Sequence, residues 1–232
     1  MKQLLSCLLV LTLAAPVAQS QEVTPNLTGG SKALLFSFAG LSFLNAGNFD
    51  GGFGAKYYLS EAMAVRAGLQ FATGSTTNPA NPPAGQSGVD GSQSATQIGV
   101  SAAIELHMGK GRVSPYLGGG IGFSTTSTEM KNAVVGNPPP SQTTTKNSVA
   151  GENIGGVNYL GGTAFTVYGL AGFEFFLWKE LSLAGEYRLG FTSTSRKDQE
   201  VTAGTTTVTT KLGSSSGFSI ASQGVLTLAV YF

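Results

Sequence analysis

Charged residues are scarce in this sequence. Asp, Glu, Lys and Arg make up 11% of its 232 residues, and the formal net charge is only +1. A protein that binds nucleic acid usually carries a clustered basic face, which so few and so evenly balanced charges do not provide. The composition therefore argues against nucleic acid as a partner.

Cysteine is almost absent, since Cys7 is the only one. This residue lies inside a segment that we expect to be removed on export, so the mature chain would carry no thiol. Disulfides, thiolate catalysis and cysteine-based metal sites are then excluded. No group of Asp, Glu and His has metal-ligand spacing on the predicted strands, and we expect neither a metal nor another cofactor.

Long apolar runs are also missing beyond the N-terminus. The run from Leu4 to Ala15 follows Lys2 and is too short to span a bilayer, which is typical of a secretory leader. Small residues at Ala18 and Ser20 suit cleavage after residue 20. We therefore predict a signal peptide at 1–20, export through the Sec pathway, and a short periplasmic segment at 21–32.

In place of long apolar runs, the chain contains segments of about ten residues in which apolar side chains recur at every second position. The stretch 217–232, GFSIASQGVLTLAVYF, shows the pattern well and ends on an aromatic residue. A period of two predicts strands, and ten residues is the length that a tilted transmembrane strand needs. The predicted strands are Ala33–Phe43, Gly52–Leu59, Met63–Thr73, Gln97–Met108, Val113–Ser124, Thr163–Leu177, Leu181–Thr192 and Gly217–Phe232.

The connections between these strands differ greatly in length. Tight turns are predicted at Ser60-Glu61, Gly109–Arg112 and Trp178–Glu180, and long polar loops at Gly74–Thr96, Thr125–Gly162 and Ser193–Ser216. We expect these loops to be mobile and exposed. An even strand number with short turns on one side and long loops on the other is the arrangement of an outer-membrane barrel. The predicted fold is all-β: an eight-stranded antiparallel up-and-down transmembrane β-barrel over 33–232, with short periplasmic turns and long extracellular loops.

Aromatic residues recur at the predicted strand ends, where the two membrane interfaces would lie. Five of them form an expected outer girdle, and Trp178, with Tyr57 and Phe232, an expected periplasmic one. The outer set is Phe71, Phe123, Phe165, Phe191 and Phe218.

On the opposite face of the same strands, three bases match three acids. They are Lys56, Arg66, Arg188, Glu105, Glu174 and Glu186. Charges in an enclosed space must be paired, so the match predicts one interior network. Glycines such as Gly118 and Gly172 would leave room for the long side chains. The alternative is that these are solvated charges on the wet face of an open sheet.

Two strands carry a family resemblance. The segment 116–123, YLGGGIGF, resembles the glycine-rich strand of the outer membrane protein β-barrel domain family, and 181–191, LSLAGEYRLGF, is similar to its penultimate strand. The relatives are small barrels of the OmpX, opacity-protein and OmpA-membrane-domain kind. The resemblance implies a bacterial outer-membrane location, with outer-membrane lipids, lipopolysaccharide and the barrel assembly machinery as partners. It also implies a C-terminal assembly signal at Leu228, Val230 and Phe232.

Three hypotheses for function remain open. The leading one is a non-enzymatic barrel whose long loops serve interaction, through a possible extracellular ligand, or envelope integrity. The second is a small channel or carrier for hydrophobic compounds, as in OmpW-like barrels. The third is a secreted soluble β-barrel that binds a small ligand. No catalytic residue is predicted, because His107, the only histidine, is expected to face inward near a periplasmic turn as a packing or network residue.

Overall fold

The computed structural model describes residues 25, 27–39, 49–148, 152–154, 157–159 and 161–232. The predicted signal peptide and the end of the first predicted strand lie outside these residues. Eight long strands, numbered in chain order, are β1 (Lys32–Ala39), β2 (Phe49–Ser60), β3 (Met63–Asn78), β4 (Gly91–His107), β5 (Val113–Lys131), β6 (Gly162–Trp178), β7 (Leu181–Ser195) and β8 (Ser214–Tyr231).

These strands form a ring. Each pairs antiparallel with its neighbours in the chain, and β8 pairs with β1 through Leu34 with Val230 and Phe36 with Leu228. Every long strand therefore has a partner on both sides. The predicted eight-stranded antiparallel up-and-down β-barrel is confirmed. Over the ranges given above, no helix is long and apolar enough to cross a bilayer.

The two faces of the wall follow the predicted alternation. On β4, Ile98 and Ile104 point outward and leave 51% and 52% of their surface exposed, whereas Ala103 and Glu105 are buried. Similar exposed Leu, Val, Ile and Phe side chains occur on the other long strands. So large an apolar surface marks a face that contacts something other than water.

Buried apolar side chains inside the ring form two clusters. The one nearer the tight turns contains Tyr58, Phe176 and Tyr231, with Leu27 of the N-terminal segment packed against it. The other contains Tyr116, Tyr168 and Leu170. The N-terminal segment lies at the tight-turn end, where the Gly30 N–H donates to the Tyr58 carbonyl at 2.8 Å.

At the other end, strand pairing continues well past the predicted strand ends. Asn78 pairs with Gly91, and β5 continues to Lys131. Short strands also occupy the connections: Ser87–Val89 pairs with Val134–Gly136, Glu152–Ile154 with Val157–Tyr159, Thr143–Lys146 with β5 and with Gln199–Ala203, and Gln199–Ala203 with Thr206–Thr210.

The predicted strands were therefore too short at this end, because strand pairing continues into the segments predicted as loops. The reason lies in their composition, which is rich in Thr and Ser. Threonine is β-branched and suits a strand, but a strand with water on both faces shows no alternation of apolar and polar residues. The pattern that identified the barrel strands could not detect these extensions.

Candidate functional site

Six charged side chains form one continuous chain of ion pairs inside the ring. In order of contact they are Glu174, Lys56, Glu105, Arg66, Glu186 and Arg188. Lys56 Nζ lies 2.9 Å from Glu174 Oε2 and 2.7 Å from Glu105 Oε2. Arg66 Nη1 lies 2.7 Å from Glu105 Oε1, and its Nη2 lies 2.6 Å from Glu186 Oε2. Arg188 Nε completes the chain, 2.5 Å from Glu186 Oε1.

Two of these ion pairs cross the interior of the barrel. In a ring of eight, β2 lies opposite β6 and β3 lies opposite β7, so Lys56–Glu174 and Arg66–Glu186 connect facing walls. Lys56, Glu105 and Glu174 are almost completely buried. Because acids and bases alternate along the chain, every one of the six charges has an opposite charge in contact, as a buried charge requires.

Hydroxyl groups complete the coordination of the outer two acids. Tyr231 donates to Glu174 Oε1 at 2.5 Å, and Ser182 donates to the same oxygen. Tyr116 donates to Glu186 Oε2 at 3.3 Å. Tyr231, Tyr116 and Ser182 were not predicted as members of the network. Their inward position on their strands was the signal that could have found them.

Glycines admit the tyrosine rings to this crowded interior. A Cβ atom on Gly172 would lie 2.6 Å from Cζ of Tyr116, and one on Gly120 would lie 2.6 Å from Cζ of Tyr168. The predicted role of Gly172, to make room for long charged side chains, therefore differs from the observed one. It makes room for the ring whose hydroxyl group binds Glu186.

His107 continues the network toward the tight turns. Its Nε2 lies 3.2 Å from Glu105 Oε2 and its Nδ1 lies 2.9 Å from Ser114 Oγ. Serine, histidine and glutamate in contact are the parts of a hydrolytic triad. However, the Ser114 hydroxyl donates its one hydrogen to the Gly109 carbonyl at 2.8 Å, so it does not donate to His107. Glu105 is already paired with Lys56 and Arg66. The geometry favours a structural role for all three residues.

The fold agrees with a comparison of the sequence with known protein families. A model of the outer membrane protein β-barrel domain matches residues 5–213. The chain belongs to this family. It is thus an integral protein of the bacterial outer membrane.

The outer-membrane barrel is similar to the N-terminal β-barrel domain of Pseudomonas aeruginosa OprF, known from a crystal structure. The sequences are 12% identical, the match covers 91% of this chain and 100% of that chain, and the TM-score is 0.27. No curated protein matches the sequence.

Among the outward aromatics of this outer-membrane barrel, Phe165 and Trp178 lie near strand ends, whereas Phe71 and Phe123 lie within strands that continue to Asn78 and Lys131. Phe71, Phe123, Phe165 and Phe191 are exposed, and Phe123 pairs directly with Phe165. Trp178 ends β6 at the tight-turn side and is 63% exposed. The side chain of Phe218 lies outside the described part of the chain. That these residues mark the membrane interfaces remains a prediction.

The three residues predicted as an assembly signal share the outward face of the last strand. Leu228 is partly exposed, and Val230 and Phe232 are exposed, whereas Tyr231 between them points into the barrel. The Phe232 N–H donates to the Lys32 carbonyl at 3.0 Å, so the chain end is joined to the start of β1. Recognition of these residues during assembly stays a prediction.

Proposed function

We propose that the protein is a non-enzymatic outer-membrane barrel that presents its long polar connections as a binding surface outside the cell or as a support for envelope integrity. The observation that carries this proposal is that the connections pair with one another. Starting from the end of β5, the strands Thr143–Lys146, Gln199–Ala203 and Thr206–Thr210 extend the sheet beyond the ring. Such a surface is formed before any ligand arrives.

Side chains also tie the three connections together. Gln142 Nε2 donates to the Asp90 carbonyl at 2.8 Å, which joins the connection after β5 to the one after β3. Asn147 Nδ2 donates to the Asp198 carbonyl at 3.1 Å, which joins it to the connection after β7. A preorganised surface loses less conformational entropy on binding than a mobile loop. This supports interaction as the work of the connections.

The interior supports this choice over the carrier hypothesis. A path for hydrophobic compounds along the bore would have to pass Lys56, Glu105 and Glu174, three buried side chains held in ion pairs. Moving an apolar solute through this layer would break pairs whose separation is costly. We therefore assign the function to the connections rather than to the bore.

The expected partners follow from the location. We propose that the apolar wall contacts outer-membrane lipids and lipopolysaccharide, that the last strand is recognised by the barrel assembly machinery after export through the Sec pathway, and that any extracellular ligand binds the connections. The ligand's identity is open to the experiment below.

The test is to remove the connections without disturbing the ring. The pairs Asn78–Gly91, Thr126–Gly162 and Ser195–Ser214 allow an Asn-Gly turn to replace 79–90, 127–161 and 196–213. The second replacement also removes 127–131, the last five residues of β5, which extend beyond the β5–β6 pairing. The shortened barrel should still insert and migrate faster on an unheated SDS gel than after boiling. Cells that carry it should lose the surface binding or envelope resistance that the full protein confers on a deletion strain.

A matched control replaces 79–90 alone, since the extension from β5 through Thr206–Thr210 does not pass through that segment. We expect this variant to retain most of the function. If the fully shortened barrel inserts and performs as well as the natural protein, the proposed function is overturned.

A further inference from the structure

We infer that the half of the barrel interior nearer the long connections is a binding well for a small soluble oxyanion that also carries hydroxyl groups, such as a sugar phosphate or a sugar acid. A cavity of about 200 Å³ lies inside the ring between β3, β4, β5, β6 and β7. It is separate from the surface of the connections, and it lies on the side of the ion-pair chain where Arg188 ends that chain.

The lining of the well mixes apolar and polar residues, and among its polar residues only Arg188 is charged. It includes Gln70, Ser101, Ser124, Thr166, Thr192 and Arg188. Gln70 is exposed to solvent, so the well is accessible from water. The hydroxyls of Thr166 and Thr192 bond to each other at 3.0 Å, and one of the two still has a hydrogen free to donate. Hydroxyl and amide groups around a single cation suit a ligand with one anionic group and several hydroxyl groups.

Arg188 is the least compensated base of the chain. Lys56 and Arg66 each contact two carboxylates, whereas Glu186 is the only carboxylate that Arg188 contacts among the described residues. Glu186 also accepts from Arg66 and Tyr116, so its negative charge is shared.

The geometry of that one contact leaves the ligand-binding edge of Arg188 available. Glu186 binds the inner nitrogen Nε, and the guanidinium lies over the ring of Tyr168, with Cζ 4.9 Å from the ring centroid. Tyr168 lines the same well, and 24% of the Arg188 side chain is exposed. The terminal Nη groups present the planar pair of donors that matches the oxygens of a carboxylate or phosphate.

Size and position restrict the ligand further. The well measures about 200 Å³, which is the space of a small solute rather than of a polymer. The well lies inside the ring, so a lipid headgroup on the outer surface of the wall would not reach it. We therefore assign the well to a free solute.

The experiment is calorimetric titration of the protein, purified from membranes in a non-ionic detergent, with glucose 6-phosphate and with glucose. We expect saturable binding of glucose 6-phosphate and at least about tenfold weaker binding of glucose, because a charged hydrogen bond is lost. Arg188→Gln should weaken binding of the phosphate by at least about tenfold for the same reason. Arg188→Lys keeps the charge but not the paired donors. Its affinity for glucose 6-phosphate should therefore lie between those of the natural protein and of Arg188→Gln.

Two further variants separate the well from general charge effects. Ser124→Phe leaves Arg188 in place and fills the cavity, and it should also abolish binding. Lys110→Gln makes the same charge change at the opposite end, at a side chain that is 71% exposed, and should leave affinity within about twofold. A faster-migrating unheated band on an SDS gel shows that each variant is folded. If Arg188→Gln does not fold, the binding affinities of Arg188→Lys and Ser124→Phe test the inference instead.

Absence of saturable binding to the natural protein would overturn the inference. So would a Ser124→Phe or Arg188→Gln protein that binds as tightly as the natural one, or a Lys110→Gln protein that loses as much affinity as Arg188→Gln.

Discussion

At the scale of single residues, Arg66 occupies the centre of the interior. It binds Glu105 through one terminal nitrogen and Glu186 through the other, so it connects the two ends of the ion chain. An arginine can do this because its guanidinium presents several donors in a fixed plane, whereas an ammonium group is a point charge. The stability of the whole series of ion pairs should therefore depend on whether Arg66 keeps its contacts with both Glu105 and Glu186.

A double-mutant cycle tests this dependence. Glu186→Gln removes the only carboxylate that Arg188 contacts in the described chain, and one of the two carboxylates that Arg66 contacts. This substitution should lower the free energy of unfolding by about 3–5 kcal/mol. In the double variant Glu186→Gln, Arg66→Met, the loss of unfolding free energy should be smaller than the sum of the two single losses by about 0.5–3 kcal/mol, because the two residues interact. Unfolding in urea after refolding into lipid measures each value.

The exposed pair Lys110 and Glu61 at a tight turn provides the control cycle. Its side chains are 71% and 51% exposed, and its coupling should stay below about 1 kcal/mol. Strict additivity of Glu186→Gln and Arg66→Met would show that the interior charges do not act as one network.

Sequence reasoning identified these six residues but not their pairing. The alternation places Lys56 and Glu174 inside, because their neighbours at odd spacing are apolar and exposed. It does not reveal that Lys56 reaches across to Glu174 as well as to Glu105, because that depends on which strands face each other in the closed ring. The tyrosine hydroxyls were missed because an inward tyrosine is equally compatible with apolar packing and with a hydrogen bond to a carboxylate.

At the scale of strands, sequence reasoning was accurate where lipid or a packed interior covers the two faces. On β4, the exposed residues from Ile98 to Leu106 alternate with small or buried ones, as the period of two predicts. The same strand begins at Gly91, six residues before its predicted start. In those six residues, water on the outer face removes the selection for apolar side chains, and the alternation ends although the hydrogen-bonded ladder continues.

Depth in the wall should decide the cost of a charge on the outward face. Ile104 lies near the middle of the apolar belt on β4, and Ser94 lies on the same face of the same strand above it. Ile104→Arg should cost about 2–4 kcal/mol at the bilayer midplane, and Ser94→Arg about 0–1 kcal/mol. Equal effects of the two substitutions on unfolding in lipid would mean that the belt is assigned to the wrong residues.

Close contact between strands depends on Gly172. An added Cβ would lie 2.6 Å from Cζ of Tyr116 and 2.5 Å from the Gly185 carbonyl oxygen. Gly172→Ala should therefore destabilise the barrel by about 1–3 kcal/mol, the usual cost of overpacking. Gly217→Ala is the matched control, because no heavy atom lies within 4 Å of the position its Cβ would take. The urea midpoint should shift for the first variant only, and a normal midpoint for Gly172→Ala would refute the proposed close packing.

At the scale of the whole molecule, the two halves of the interior differ. Nearer the tight turns, the apolar cluster of Tyr58, Phe176 and Tyr231 and the ion-pair chain fill the bore in successive layers. Nearer the long connections, mostly small residues line an open well. An eight-stranded barrel has an interior just wide enough for side chains to fill, so large residues in one half close it and small residues in the other half leave space.

This arrangement predicts a barrel that inserts without conducting ions. Ions entering the well would meet Lys56 paired with Glu174 across the bore and then Phe176, which is fully buried. In planar bilayers the natural protein should show no steady conductance, and Phe176→Ala alone should stay silent because the ion pairs still cross the bore. Insertion must be verified in the same preparation by the faster migration of unheated protein, which a closed ladder with no free edge should give. Steady conductance from protein that passes this check would mean that the layers do not fill the interior, and the transport hypothesis would then replace the binding-surface one.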